Sequence, residues 1–262
     1  KSEVEASLPA LDIVGSAMTK PVAGAVEVTA TTEGTLSKLA INAQVKGHGL
    51  TYDAMPPVET MLDIAATDVP EQLKATITGR ADSSKATLSV DSQVALKDNT
   101  VVIAPFALTS GANKVSGQAS WPLKEGFPRV QLKASFDNIT DLAALIGKNI
   151  SGTAKASLKV QENNADITAE IHDLRYNEIS IEKITSKGNA TKLFSTPAGS
   201  FTLDVRNLES SPAVVNYFSI QGDGDGNDIA ITSTLKGNLR KEETEPQPLS
   251  CETAAHIALA QR

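Results

Sequence analysis

Aromatic side chains make up only 4% of these 262 residues, too few for one thick core built around large rings. A single cysteine, Cys251, excludes a disulfide-stapled domain and leaves the redox compartment open. No run approaches the roughly 18 consecutive apolar residues of a membrane-spanning helix, and the start carries no basic region followed by an apolar one, as a secretory signal would. Basic clusters are missing as well. The 24 Lys and Arg are outnumbered by 31 Asp and Glu and stand singly, so counterion release from a nucleic acid has no footprint to act through. His48, His172 and His256 are far apart and have no partner at metal-ligand spacing. With no Gly-x-Ser-x-Gly elbow or phosphate-cradling loop either, the expectation is a chain without catalytic residues, metal or cofactor.

What is present is Ala, Val, Ile and Leu interleaved with Thr, Ser, Asn and Asp, with 40% hydrophobic residues in all. The order is alternation, which puts every second side chain on one face of a strand. Leu39, Ile41, Ala43 and Val45 alternate with polar partners until Gly47 and Gly49, which read as the close of that segment. Ala86, Leu88, Val90, Val94 and Leu96 share one parity. Val130, Leu132, Ala134 and Phe136 are separated by Gln131, Lys133 and Ser135. Ala154 to Val160 and Ala165 to Ile171 flank a polar turn, Gln161 to Asn164, and predict a hairpin. Between Ile171 and Leu174 the parity slips by one, which calls for a bulge at His172 or Asp173. Further strands are predicted at Ile179 to Ile184, Phe201 to Val205 and Val214 to Ile220. A last hairpin joins Phe218 and Ile220 to Ile229, Ile231 and Leu235 through the Gly-Asp-rich stretch Gly222 to Asp228. Alternating Asp residues also suit Ca²⁺, but the stretch lacks the closing acidic ligand of a calcium loop, and turn chemistry explains it.

Helical signals are few. Ile139 to Gly147 is the best, with Thr140 as cap, Gly147 as stop and Leu142, Leu145 and Ile146 as the buried stripe. At about two turns it must lie against a sheet edge or end. Thr253 to Gln261 is a second, Ala-rich candidate after the acidic linker Lys241 to Pro248, and residues 241–262 read as a mobile linker with a short helical tail. Trp121-Pro122 reads as a strand end and a small packing anchor, and His172 beside Asp173 as a strand-edge pair. The chain opens at Lys1 already alternating, so it is expected to be part of a longer protein. Alternation alone leaves two folds open. One is a sealed β-sandwich, the other a long sheet curling over its own apolar face.

The stretch from Phe127 to Leu208 carries a resemblance. Phe127-Pro128-Arg129-Val130-Gln131-Leu132-Lys133-Ala134-Ser135-Phe136 leads to Asp141-Leu142-Ala143-Ala144-Leu145, then to Ile150-Ser151-Gly152 opening the next strand. Leu174-Arg175-Tyr176 and Ile179-Ser180-Ile181 follow. This succession resembles the repeating unit of TamB proteins, within the wider AsmA-like group. Ala104-Pro105-Phe106-Ala107-Leu108 with Gly111, Asn113 and Val115-Ser116-Gly117 is similar to the related AsmA-type element. Together these cover about half the chain.

The resemblance implies an all-β fold: an elongated, curled groove of many mostly antiparallel strands with one short helix. Residues 1–240 would be the repeating segment, with sub-repeats near 1–126 and 127–240. It implies a periplasmic protein tethered to the inner membrane by an anchor outside this chain. Its partners would be phospholipid acyl chains, a TamA-like outer-membrane barrel, and β-barrel or autotransporter clients. The lining would be Val130, Leu132, Phe136, Leu158, Val160, Ile167, Ile171, Phe201, Leu203 and Val205. The rival readings are a surface or adhesin-type sandwich that binds through its loops, and a spacer whose only property is length.

Overall fold

The computed structural model describes residues 1–12, 21–35, 37–53, 55–225, 228–239 and 247–258. Alternation becomes strand almost throughout. In chain order the strands are β1 (Ser2–Leu8), β2 (Val22–Thr35), β3 (Lys38–Tyr52), β4 (Val58–Val69), β5 (Lys74–Ser83), β6 (Thr87–Lys97), β7 (Thr100–Ser110) and β8 (Asn113–Pro122). Then come β9 (Arg129–Phe136), a helix α1 (Ile139–Leu145), β10 (Ile150–Gln161), β11 (Asn164–Tyr176), β12 (Ile179–Thr191), β13 (Ala198–Ser210), β14 (Ala213–Asp225), β15 (Asp228–Leu239) and β16 (Gln247–Ala258). Several strands outrun their apolar runs because the ladder continues wherever the neighbour offers backbone partners. Thus β3 passes through Gly47 and Gly49 instead of ending there, and β14 takes in most of the Gly-Asp stretch. The tip of that hairpin, 226–227, lies outside the described residues.

The chain divides into two compact units, Lys1–Gly126 with Asp141–Lys148, and Phe127–Thr140 with Asn149–Arg262. Within each unit, strand order is chain order and paired neighbours are antiparallel. The terminal strands β1 and β16 are each paired on one side, with β2 and β15. Turn chemistry explains the meander. Asp98 and Asn99 join β6 to β7, and Glu162 and Asn163 join β10 to β11, all four at positive φ (48°, 56°, 51° and 69°), as two-residue hairpin turns require.

Neither unit is a sealed sandwich. Among the described residues the buried apolar side chains are Val58, Ala66, Pro128, Ala143 and Val205. Facing sheets would bury whole rows.

In α1, Asn138 Oδ1 accepts the Thr140 N–H at 3.0 Å, so Asn138 is the cap in place of Thr140. Gly147 (φ 67°) ends the helix as expected: its N–H reaches the Ala144 carbonyl and that of Lys148 the Ala143 carbonyl, a Schellman close. Ala143 is buried, whereas Ile146 is exposed. The helix residues Asp141–Lys148 group with the first unit, where Ser110 and Asn113 of the β7–β8 turn are buried.

The tail corrects a second expectation. Residues 247–258 form β16, paired along its length with β15 from Leu239↔Gln247 to Asp228↔Ala258. Cys251 therefore sits in a regular strand, exposed, opposite Leu235. A short Ala-rich helix gains little alone, whereas β15 offers a whole edge of unpaired donors and acceptors. Residues 240–246 and 259–262 lie outside the described set. Pro122 ends β8, as expected, and Trp121 beside it is 57% exposed.

Candidate functional site

Register decides which side chains share a face, because directly opposed residues point to the same side of a sheet. In the second unit Leu132 pairs with Leu158, Leu158 with Ile167, Ile167 with Gly188, Gly188 with Phe201, Phe201 with Gly222, and Gly222 with Ile231. A parallel row runs Phe136, Ala154, Ile171, Ile184, Val205, Phe218 and Leu235. Between them lie Ala134, Ala156, Ala169, Ser186, Leu203 and Ile220, and on the far side Val130, Val160, Ala165, Ala190, Gly199 and Gly224. All ten residues expected to line a groove therefore lie on one continuous face spanning β9 to β13. They are not equally covered. Val205 is 7% exposed, whereas Ile167 is 51% and Phe201 41% exposed.

Around the exposed end of this face is a trough of about 570 Å³, within the range of small-molecule sites. Leu158, Ile167 and Phe201 line it, together with Ala165, Gly188, Ala190, Gly199, Gly222, Gly224 and Ile229. The other seven predicted residues lie on the same face beyond its walls. The contribution of small residues was missed in the sequence; its signal is glycine at the apolar parity inside alternating strands. Two glycines bracket Phe201. At Gly222 an added Cβ would lie 2.7 Å from Phe201 Cζ and closer still to Cε1, because the ring rests on that glycine. Beyond the trough, Phe194 N–H donates to Asn163 Oδ1 at 2.8 Å, and the Phe194 and Phe127 rings stack with centroids 5.8 Å apart.

The opposite face is polar. Lys183 and His172 Nε2 (3.0 Å) both pair with Glu170, and Tyr217 donates to Asp204 at 2.9 Å. His172 thus finds Glu170, not Asp173. Among the described residues no group of three or more His, Cys, Asp or Glu is placed to hold a metal, and no helix is long and apolar enough to cross a membrane. Asp225 Oδ1 accepts the Asp228 N–H at 3.1 Å, a turn contact.

The parity slip is resolved by a bulge at the expected place. The β10–β11 register shifts between Ser151 and Thr153, with Gly152 at φ 138° and Asp173 at φ 52°. The first unit repeats this device. Gly24 (φ 117°) sits at the β2–β3 shift against His48-Gly49-Leu50-Thr51-Tyr52, as Gly152 sits against His172-Asp173-Leu174-Arg175-Tyr176. The doubled His-x-Leu-x-Tyr was legible in the sequence but not noticed there. At the first bulge Glu59 Oε1 accepts the Gly49 N–H at 2.8 Å and Oε2 meets His48 Nδ1 at 3.0 Å. The Gly49 N–H, then the His48 ring, hold the Glu59 carboxyl below its ordinary value of 4.5. Lys183 first, then His172, do the same for Glu170. A depressed carboxyl stabilises the fold above its unfolded value, and that contribution is lost as pH falls through the folded one. The melting temperature is therefore expected to fall as pH drops below 4.5, and Glu59→Gln should flatten part of that fall. An unchanged pH profile in the variant would remove Glu59 from the account.

The family model described as TamB, N-terminal domain, matches residues 67–243, more than half of the chain. No curated protein and no solved structure matches it.

Proposed function

This chain belongs to the TamB family of envelope proteins, and from that premise we propose that its apolar sheet face is a trough for phospholipid acyl chains moving between the inner and outer membranes. The observation that carries the reading is the continuous apolar face with an open 570 Å³ trough at its exposed end. An apolar face left open to water is unfavourable unless something covers it, and each CH₂ buried there contributes about 0.8 kcal/mol. The chain acts without catalysis, in the periplasm, tethered through a segment outside it and working beside a TamA-like barrel.

A second use is supported by a different observation. The described side chains of the terminal strands β1 and β16 are exposed, and a terminal strand has backbone groups free for another strand. A β-barrel or autotransporter client in an extended state would find its partners there.

Photocrosslinking tests the first. A photoreactive residue replaces Leu132, Leu158 or Leu203 singly in the full-length protein in cells, with Lys133 and Lys159 as controls on the polar face. Phospholipid adducts at the three apolar positions and not at the lysines are expected. Protein adducts from outer-membrane clients at those positions, in place of phospholipid, would overturn the lipid reading of the trough. Crosslinks only to the chain's own strands would refute an open trough.

A further inference from the structure

We infer that small residues along β12 form the floor of a lane for a single linear acyl chain, and that this lane stays open because the Phe201 ring is seated on Gly222. The inference rests on the trough reading and deepens it. On the lining face β12 presents Ser186, Gly188 and Ala190 in succession, with Ile184 beyond. Ile167 on β11 and Phe201 on β13 stand on either side of Gly188, both strongly exposed, as two ridges.

Glycine inside a strand weakens it and needs a reason. Gly222 has one, the ring above it. Gly188 lacks it. Its φ is not in the left-handed region, and an added Cβ would meet Ile167 Cγ2 at 3.1 Å, the Ser200 carbonyl at 3.6 Å and Phe201 Cβ at 3.8 Å, with no ring across it. Alanine there asks only for a small yield of one side chain. What glycine preserves is the space of the trough.

That space has a width. An added carbon at position 188 would lie 3.1 Å from Ile167 Cγ2 and 3.8 Å from Phe201 Cβ, so the two walls are at most about 7 Å apart at the floor. A carbon needs about 4 Å to each side, so a chain rests just above Gly188 against both ridges. One methylene chain fits in that cleft; two side by side, or a fused ring system, do not. The seat of Phe201 makes this width adjustable. A methyl at position 222 would push the ring off its glycine, and of the two residues directly opposed to Phe201 the one then left without a side chain is Gly188.

The test uses the purified chain and cis-parinaric acid, a linear polyene fatty acid whose fluorescence rises in apolar surroundings. The wild type is expected to bind it saturably. Gly188→Leu should weaken binding at least about tenfold, the loss expected when two buried methylenes are displaced. Gly222→Ala should also weaken it several-fold although it adds no atom to the lane, and Phe201→Leu in the Gly222→Ala background should restore most of the affinity. Lys187→Leu, on the polar face, should change nothing. Urea unfolding of each variant confirms that folded protein is compared. If the wild type shows no saturable binding, the trough reading fails and the lane with it. If it binds and Gly188→Leu binds equally well, the trough stands and the lane is refuted. Should Gly188→Leu not fold, the Gly222→Ala variant and its reversal by Phe201→Leu decide alone, and unchanged affinity in Gly222→Ala overturns the proposal.

Discussion

Val205→Asp should be among the most damaging substitutions on the apolar face, costing about 3–5 kcal/mol, because it leaves a carboxylate without a partner in an apolar setting. Val205 is 7% exposed and is opposed by Ile184 on one side and Phe218 on the other. The same change at Phe201, on the same strand and face but 41% exposed, leaves the charge in water and should cost only about 1–2 kcal/mol of lost apolar contact. Urea unfolding followed by circular dichroism compares the two directly. Equal shifts would mean that the face is uniformly open and has no covered side. The functional effects should run the other way: Phe201→Asp stays folded and empties the trough, whereas Val205→Asp fails first as a fold.

The second large effect is expected at Gly152. At φ 138° an added Cβ would lie 2.9 Å from the His172 carbonyl oxygen and 3.1 Å from that of Asp173. These are backbone atoms, so no side chain can swing aside. Gly152→Ala should cost about 2–4 kcal/mol, the sum of a forbidden backbone conformation and a clash within the ladder. Gly24→Ala, with the His48 and Gly49 carbonyls at 2.8 and 2.9 Å, should act alike in the first unit. Gly49→Ala is the internal control. Its φ of 58° is left-handed, but nothing lies within 4 Å of the added methyl, so only the conformational cost of about 1–2 kcal/mol remains. If all three variants unfold at the same denaturant concentration, the bulges do not fix the register.

Gly152 also shows how far the sequence could be read. The parity break between Ile171 and Leu174 required a bulge, since otherwise half of β11 would turn its apolar residues to water. Which residue on the partner strand absorbs it is a matter of register, and Gly152 looked like the start of a strand. The tail failed for the converse reason. Ala254 and Ala255 favour a helix locally, and nothing within Gln247–Ala258 says that a free edge of β15 lies beside it. Helix α1 was found with its stop in place, but its cap was displaced from Thr140 to Asn138, because the side chain that accepts the second free N–H depends on where the preceding strand ends.

The sequence by itself determined that this protein is built of two-faced strands, where its sharpest turns fall and which residues go to the apolar side. Side-chain period and turn chemistry are local, and each strand carries them alone. Only the tertiary structure decided how that face is divided between covered and open residues. Register set the glycines of β12 and β14 on either side of Phe201, left Ile167 and Phe201 open to water while covering Val205, and so turned one uniform apolar pattern into a covered row and an open trough. That distinction depends on which strand lies beside which, and alternation within one strand holds no record of its neighbours.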